Sequence, residues 1–400
     1  MQAGTILHKL LIELCGPMHA VRRTALEVVV TSAVRCQRLT VTALGRGIES
    51  LAREKHCIKR ADRMMSNRHL HAERVQIYGA LARHLVGSQR QPVMVVDWSD
   101  LDATKRNQVL RASLVVAGRG LTVYEEVHGR ATAVKTRTLE RFLDRLRSLL
   151  PPTCTPVLVT DAGFCTPWFR QIEALGWWWV GRIRRRDLVR GEPEGEWRPL
   201  RELHAGARSV PQAMGQVWLT RVAGHVCQLV RYRGKARGRH KLTAHGQRAK
   251  WGPSEKHARS GREPWILATN LPATRTLAKK VVRLYRARMQ IEEAFRDLKS
   301  VRFGLGFDQH RSRDACRLAV LLLVAALALM LLWLLGSIAR TRGWERHYQA
   351  NTVRRKPVLS VIYLGLCLYK RSTEVFTATE LINAWRQITT LNSQCWEYEQ

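Results

Sequence analysis

One segment limits the possible folds of this 400-residue chain more than any other. Leu318 to Ile338, LAVLLLVAALALMLLWLLGSI, runs 21 residues without a charged side chain. As a helix it covers about 30 Å, which is long enough to cross a bilayer. A helix apolar on every side is equally at home when sealed in the core of a large soluble domain. The segment stands alone and follows closely on a polar helix with chemical potential, so a buried core helix is the expectation. The membrane alternative predicts that the intact protein stays with membranes through a high-salt wash.

Charge narrows the field further. Lys and Arg number 67 against 32 Asp and Glu, a formal net charge of +35 spread along the chain, while 46% of residues are hydrophobic. That hydrophobic content is that of a folded protein with a sizeable core, in two or three domains. A surface this positive repels itself unless it meets a polyanion, which makes nucleic acid the leading partner. The nine cysteines are odd in number and form no CxxC pair, so neither a disulfide scaffold nor a zinc ribbon is indicated. A reducing cytoplasm is expected. The first residues, MQAGTILHKLLIELCG, are interrupted by Lys9 and Glu13 and do not read as a signal peptide.

Residues 1–90 carry helical periodicity through Ile6 to Leu14, Ala25 to Val34 and Val75 to Leu85. The intervening KHCIKRADRMMSNRHLHAER at 55–74 suits either a duplex-DNA reader or a solvated basic face. From Pro92 the pattern becomes that of strands. VMVVD at 93–97 reads as a buried strand ending in a carboxylate, and Val109 to Val116 and Leu121 to Val127 as a hairpin around AGRG at 117–120. A helix through Leu139, Phe142, Leu143, Leu146, Leu149 and Leu150 follows, then PVLVTD at 156–161, a short helix, and the strand WWWVGRI at 177–183. An interruption at 184–264 holds the short strands QVWLTRV and CQLVRY, then RGKARGRHKLTAHGQRAKWGPSEKHARSGR, too polar to build a core. Past Ile338 the chain is mixed helical and carries no chemically legible motif.

That succession is the order of a ribonuclease-H-like core. The fold class expected is α/β, a mixed sheet with flanking helices interrupted by a β-rich insertion, between an all-α N-terminal DNA-binding domain and a helical C-terminal region. The boundaries are 1–90, 91–183 for the first part of the core, 184–264 for the insertion, 265–340 for the second part, and 341–400 for a C-terminal region concerned with DNA contact or dimerisation.

The chemistry centres on YRARMQIEEAFRDLK at 285–299. Read as one continuous helix at about 100° per residue, it places Tyr285, Arg288, Glu292 and Lys299 within an arc of about 60°, beside an apolar seam of Leu284, Ala287, Ile291, Phe295 and Leu298. Glu293 turns away from that arc. A carboxylate between cations and a phenol suits a metal-dependent phosphate enzyme, and it also suits an amphipathic surface helix with ion pairs. Asp97 and Asp161, each ending a buried strand, supply further carboxylates on separate elements. Such oxygens are the ligands that hard cations such as Mg²⁺ take, and two of these ions can serve an in-line phosphoryl displacement. Asp100 and Asp102 compete with Asp97 but lie beyond the apolar run, where a turn is the simpler reading.

At these residues the sequence resembles insertion-sequence family four of the cut-and-paste DDE transposases. The resemblance rests on Y-x2-R-x3-E-x6-K at 285, 288, 292 and 299, on VDWSD around Asp97 and on DAGF at 161–164. LGRGIE at 44–49 and KHCIKRADRMMSNRHLH at 55–71 are similar to the family's end-binding region, and EPWILATNLP, RMQIEEAFRDLKS and QANTVR to its later blocks. The resemblance implies Asp97, Asp161 and Glu292 as catalytic, metal-binding residues holding two Mg²⁺ ions, with Mn²⁺ as a substitute. Tyr285, Arg288 and Lys299 are implied to hold DNA phosphates, and Trp265 to stack on a flipped base, an indole face being open to any base. A core position for Trp265 in the strand PWILAT stays open.

The implied activity is binding of terminal inverted repeats, hydrolytic nicking, hairpin formation and opening, and joining of 3′ ends to target DNA. The implied assembly is a homodimer on double-stranded DNA, cytoplasmic at the nucleoid, with no membrane. Two alternatives compete with this reading. A ribonuclease-H-like nuclease cuts but does not join; a non-catalytic DNA-binding protein loses nothing when Asp97 or Glu292 is replaced.

Overall fold

The structure is a computed structural model. It describes residues 1–396 except 17, 134, 185–186, 222–223, 235–246, 248–251, 253–262, 354–355 and 372–373. The basic stretch at 233–262 thus lies almost wholly outside the described residues, as does the end of QVWLTRV.

Helices α1 (Ala3–Leu14), α2 (Ala20–Cys36), α3 (Val41–Arg46), α4 (Glu54–Met65) and α5 (Arg68–Val86) open the chain. Strands β1 (Val93–Asp100), β2 (Asn107–Val116) and β3 (Arg119–Gly129) follow, then α6 (Thr136–Leu149), β4 (Val157–Thr160), α7 (Thr166–Ala174) and β5 (Trp178–Ile183). Next come β6 (Leu188–Arg190), β7 (Arg198–Pro199), β8 (Gln212–Leu219), β9 (His225–Tyr232) and β10 (Trp265–Thr269). The chain continues with α8 (Leu277–Ala287), α9 (Met289–Lys299), α10 (Ala315–Thr341), α11 (Glu345–Tyr348), α12 (Val361–Lys370) and α13 (Ala378–Ser393). The architecture is mixed α/β. The chain forms two compact units, Met1–Cys154 with Met289–Gln394, and Thr155–Arg288 with the chain end from Cys395.

The first unit is built around α10. Every residue from Leu318 to Ala339 is buried, so the uncharged segment is a core helix enclosed by protein. It packs against α1, α2, α4, α5, α9, α12, α13 and β3, which consume its apolar surface in all directions. Its start is capped by the Asp314 carboxylate, which accepts from the Arg317 amide at 2.8 Å. Its crossing with α12 is unusually close. A Cβ on Gly336 would lie 1.9 Å from the Val361 carbonyl oxygen, and one on Gly365 would lie 1.9 Å from that of Leu332.

Beside this core, β1, β2 and β3 form an antiparallel meander with Asp97 opposite Arg111 and Arg111 opposite Glu125. The β2–β3 turn is the tight one at Ala117 and Gly118, both at positive φ, matching the twist of a two-residue hairpin. Asn392 of α13 is fully buried and serves the strands: its Oδ1 accepts from the Val93 amide at 2.9 Å, and its Nδ2 donates to the carbonyls of Val93 and Val115 at 2.9 and 3.0 Å. The C-terminal helix is therefore bonded to the start of β1 and the end of β2.

In the second unit the strand order is β4-β5-β10-β9-β8-β6-β7. β4 and β5 are parallel, and the remaining pairings are antiparallel. The α7 crossover joins the parallel pair, with Phe169 stacked on Trp179 at 4.0 Å and 12° between planes. Asn270 accepts from the Trp179 amide at 2.8 Å and donates to the Trp177 carbonyl at 2.9 Å, closing the end of β10 onto β5. Helix α8 packs on β5, β8 and β9.

The segment at 285–299 differs from the expected single helix. Its ladder breaks at Arg288, whose amide bonds to the Tyr285 carbonyl at 3.1 Å, an i to i−3 closure that tightens the last turn of α8. Tyr285 and Arg288 therefore end one helix in the second unit, and Glu292 and Lys299 lie on another in the first.

The α10–α12 crossing yields a direct expectation. Gly365→Ala inserts a methyl group against backbone that cannot yield as a side chain can, and overpacking of this kind costs about 1 to 3 kcal/mol. A fall in the thermal unfolding midpoint of Gly365→Ala, with Tyr363→Ala on the exposed side of α12 as control, checks it. An unchanged midpoint would refute the close packing.

Candidate active site

β1 enters the core as Val93, Met94, Val95 and Val96, all buried, and emerges half-buried from Asp97 onward. The first polar residue of the strand is thus a carboxylate at the rim of the core. Its Oδ1 accepts from the Trp98 amide at 2.8 Å. Helix α9 packs on β1, β2 and β3, with Ile291, Ala294, Phe295 and Leu298 buried, and presents Glu292 in its exposed first turn.

The neighbouring acids have the following partners. Glu293 pairs with Arg119 at 3.4 Å and with Arg296. Asp102 closes the β1–β2 turn by accepting from the amides of Arg106 and Asn107, each at 3.1 Å. Asp100 accepts from Gln108 at 2.7 Å and pairs with Lys105 at 3.2 Å.

Lys299 reaches back from the end of α9 to β1. Its ammonium donates to Ser99 Oγ at 2.9 Å and to the carbonyl of Asp100. Burial holds its pKa below the usual lysine value, with Asp308 and Asp100 opposing that shift. The sequence motif marks Lys299 as a cation; the structure adds that it braces the helix carrying Glu292 against the strand carrying Asp97.

In the second unit Asp161 follows β4, and its Oδ1 accepts from the Gly163 amide at 2.7 Å. Tyr285 is buried, its ring 4.9 Å from that of half-buried Trp265 and nearly perpendicular to it at 73°. The Arg288 guanidinium carbon lies 5.9 Å from the Tyr285 ring. Burial raises the Tyr285 phenol; Arg288 and Arg182 oppose the rise, and the Asp161 carboxylate adds to it. Trp265 also meets Tyr232 at 5.6 Å. It is an edge partner within an aromatic group, with part of its surface open.

The sequence-predicted residues thus fall into two sets, Asp97, Glu292 and Lys299 in one unit and Asp161, Tyr285, Arg288 and Trp265 in the other. Sequence reasoning missed Arg182. It lies on β5 with 8% exposure, hydrogen-bonded to Tyr285, and burial lowers its pKa. A cation in the otherwise apolar run WWWVGRI was the available signal. It also missed the buried pair Arg111 and Glu125 under α9.

No group of three or more His, Cys, Asp or Glu among the described residues forms a metal-holding cluster. The acids that the sequence marks offer hard carboxylate oxygen alone, a donor set that suits Mg²⁺ or Mn²⁺ and does not suit zinc with its sulfur and imidazole preference.

Residues 88–331 match the family described as Transposase DDE domain. The chain belongs to that family. A DDE transposase is a DNA-acting enzyme dependent on divalent metal ions, and the matched span contains Asp97, Asp161 and Glu292. Among solved structures, the transposase is similar to the piggyBac transposase synaptic complex with hairpin DNA, at 12% identity and a TM-score of 0.42, over 90% of this chain and 74% of that one. No curated protein matches it.

Asp297 on α9 gives this transposase a pH dependence of known sign. Its carboxyl is buried against Arg119, at 2.6 Å, and burial outweighs that partner to push it up to about 6. The folded state then holds the proton more tightly than the unfolded chain. Stability from this group is complete below about pH 4 and is lost as pH rises through 6, by at most about 3 kcal/mol. Unfolding midpoints of wild type and Asp297→Asn, compared from pH 4 to 7.5, should diverge in favour of the variant as pH rises. A constant difference would contradict the raised value.

Proposed function

We propose that this chain is a cut-and-paste transposase of insertion-sequence family four, nearest in its motifs to the transposase of the bacterial tetracycline-resistance composite transposon. The observation that carries this reading is the span of the DDE family match, which encloses three carboxylates on separate elements together with the Y-x2-R-x3-E-x6-K spacing. The core is read as ribonuclease-H-like, the helices of 1–90 as the transposon-end reader, and 184–264 as a basic insertion along DNA.

In this reading Asp97, Asp161 and Glu292 would hold two Mg²⁺ ions, or Mn²⁺ in their place, and the chemistry supplied there would be charge stabilisation of an in-line phosphoryl displacement. The chain's own residues place the DNA. Tyr285 and Arg288 hold phosphates of the transposon end, and Lys299 contributes the donor left after those given to Ser99 and Asp100. Trp265 receives a flipped base on its open face. Water first cleaves a phosphodiester and frees a 3′-hydroxyl at the transposon end; that hydroxyl attacks a phosphodiester of the opposite strand, forming the hairpin bond and releasing the flanking DNA's 3′-oxygen; a second water cleaves the hairpin bond and regenerates the 3′-hydroxyl, which then attacks a target phosphodiester and displaces the target's 3′-oxygen. One set of carboxylates serves each step because every step is the same displacement with a different nucleophile. Two ends are handled together, so a homodimer on DNA is expected, working in the cytoplasm at the nucleoid.

Three measurements test the reading. Asp97→Asn and Glu292→Gln should reduce nicking of a terminal-repeat duplex by a factor on the order of 10³ while leaving end binding in EDTA intact. Nicking at wild-type rate by either variant would reject the assignment. Precut ends supplied with a supercoiled target should be joined to it by the wild-type protein. End binding should fall steeply between about 50 and 200 mM salt, as phosphate-dominated contact requires, and a flat dependence would count against it.

A further inference from the structure

In the second unit, strands β6, β7 and β8 carry a row of aromatic and cationic side chains. Arg190 on β6 is paired directly with Trp218 on β8, and Trp218 with Val226 on β9. On the other side Val189 is paired with Arg198 of β7, which brings Trp197 opposite Arg190 one register step further on. Residues opposite one another on antiparallel strands point to the same face. That face is the open one. Trp197, Arg190 and Trp218 are half-buried and Val226 is 38% exposed, whereas Val189, Val217, Leu219 and Cys227 on the alternate face are buried.

The Arg190 guanidinium carbon lies 4.9 Å from the centroid of the Trp197 ring and 5.7 Å from that of Trp218. An arginine held between two indoles has its plane fixed while its N–H donors stay available. Here they are not spent within the fold. Nε is buried without a hydrogen-bond partner, and no carboxylate among the described residues pairs with the guanidinium. Glu192, Glu194 and Glu196 follow in the turn to β7, all of them exposed, and none takes it.

Such a row steadies the strands it crosses, but steadying them does not call for a cation. A third apolar side chain would fill the gap between the indoles without leaving a charge unpaired and a buried Nε unmatched. What arginine adds is a planar fork that matches two oxygens of a phosphate. The row also stands well away from Asp161. From β4 to β6 the sheet takes five strand steps, through β5, β10, β9 and β8, which at about 4.8 Å each is roughly 24 Å. Along duplex DNA that distance is about seven base pairs. The place suits holding a backbone rather than cutting it.

We propose that the row of Trp197, Arg190 and Trp218 is a DNA-backbone contact of the insertion, in which the two indoles hold the Arg190 guanidinium for bidentate binding of one phosphate. The proposal rests on the reading of this chain as a duplex-DNA binder. A phosphate carries no sequence information, so the contact serves terminal-repeat and unrelated duplexes alike.

The test is fluorescence anisotropy in EDTA from about 50 to 200 mM salt, with a terminal-repeat duplex and a random-sequence duplex, the former extending about ten base pairs to each side of the cleavage point. Arg190→Gln should weaken binding to both about tenfold at about 100 mM salt and make the slope of log affinity against log salt shallower by about 0.9, the loss of one phosphate contact. Arg190→Lys keeps the charge without the fork; it should keep the wild-type slope and bind about threefold more weakly. If Arg190→Gln folds, as judged by circular dichroism, and shows the wild-type slope on both duplexes, the row only steadies the strands and the proposal is overturned. Where Arg190→Gln fails to fold, wild-type affinity in Arg190→Lys overturns it. Wild-type protein whose binding is flat in salt would show instead that the reading as a DNA binder has failed, whatever Arg190 does.

Discussion

A helix without a polar face is stable in water only when protein surrounds it, and α10 imposes that requirement on the whole first unit. Its apolar surface must be matched on every side, which is why N-terminal helices, the meander and C-terminal helices from opposite ends of the chain converge on it. Burial at about 25 cal/mol per Å² of apolar surface makes this convergence the dominant favourable term of the unit. The close crossing at Gly336 and Gly365 shows the same pressure at atomic scale, since two helices can approach backbone to backbone only where both side chains are absent. The strands and the helix that carry Asp97 and Glu292 are supported by this post. β3 and α9 both lie against it, and Asn392 fastens β1 and β2 to the helix α13 that packs on it as well.

A core so apolar makes the few charges within it conspicuous. Asp297 is paired with Arg119 and still loses more to desolvation than the ion pair returns, which is the usual balance for a buried carboxylate with one partner. Arg111 and Glu125 have more partners, with a phenol on one side and an aromatic ring on the other. Lys299 sits between these cases, its ammonium half-buried and given to one hydroxyl and one carbonyl. Asp297 and Lys299 lie on α9 and tie it to the strands, and Arg111 and Glu125 lie beneath it. The helix that presents Glu292 is thus held by polar bonds in addition to its apolar seam, and such bonds fix register in a way that hydrophobic contact alone does not.

Much of this was legible in the sequence because it follows from local rules. An uncharged 21-residue run flanked by arginines, a strand followed by Asp161, and a hairpin at AGRG are all encoded in neighbouring residues; the strand expected to end at Asp97 instead runs on to Asp100, because its pairing with β2 continues past the buried run Val93 to Val96. The break at Arg288 was not. Apolar residues continue through Leu284, Ala287 and Ile291 with unbroken helical spacing, and neither proline nor glycine marks the interruption, so the periodicity describes one helix where tertiary packing makes two. Cross-strand partners were also out of reach. Nothing in NQVLRASLVV or LTVYEEV states that Arg111 faces both Asp97 and Glu125, because register is settled by turn geometry and by the buried face of the sheet. A charged residue within an apolar strand was the one available clue, and it applied equally to Arg111, Glu125 and Arg182.

A protein of net charge +35 faces two opposed demands at a carboxylate site. The long-range field that gathers DNA repels the divalent cations that DNA cleavage by this family requires. Screening at physiological salt confines that field to about 8 Å, so the conflict is settled locally by the groups nearest each carboxylate. In the first unit the Arg111 guanidinium is bound to Glu125, and the Lys299 ammonium donates to Ser99 and to the Asp100 carbonyl. Both cations are held by partners of their own, so basic residues can crowd the protein's exterior for DNA while these two buried or half-buried cations stay compensated within the fold.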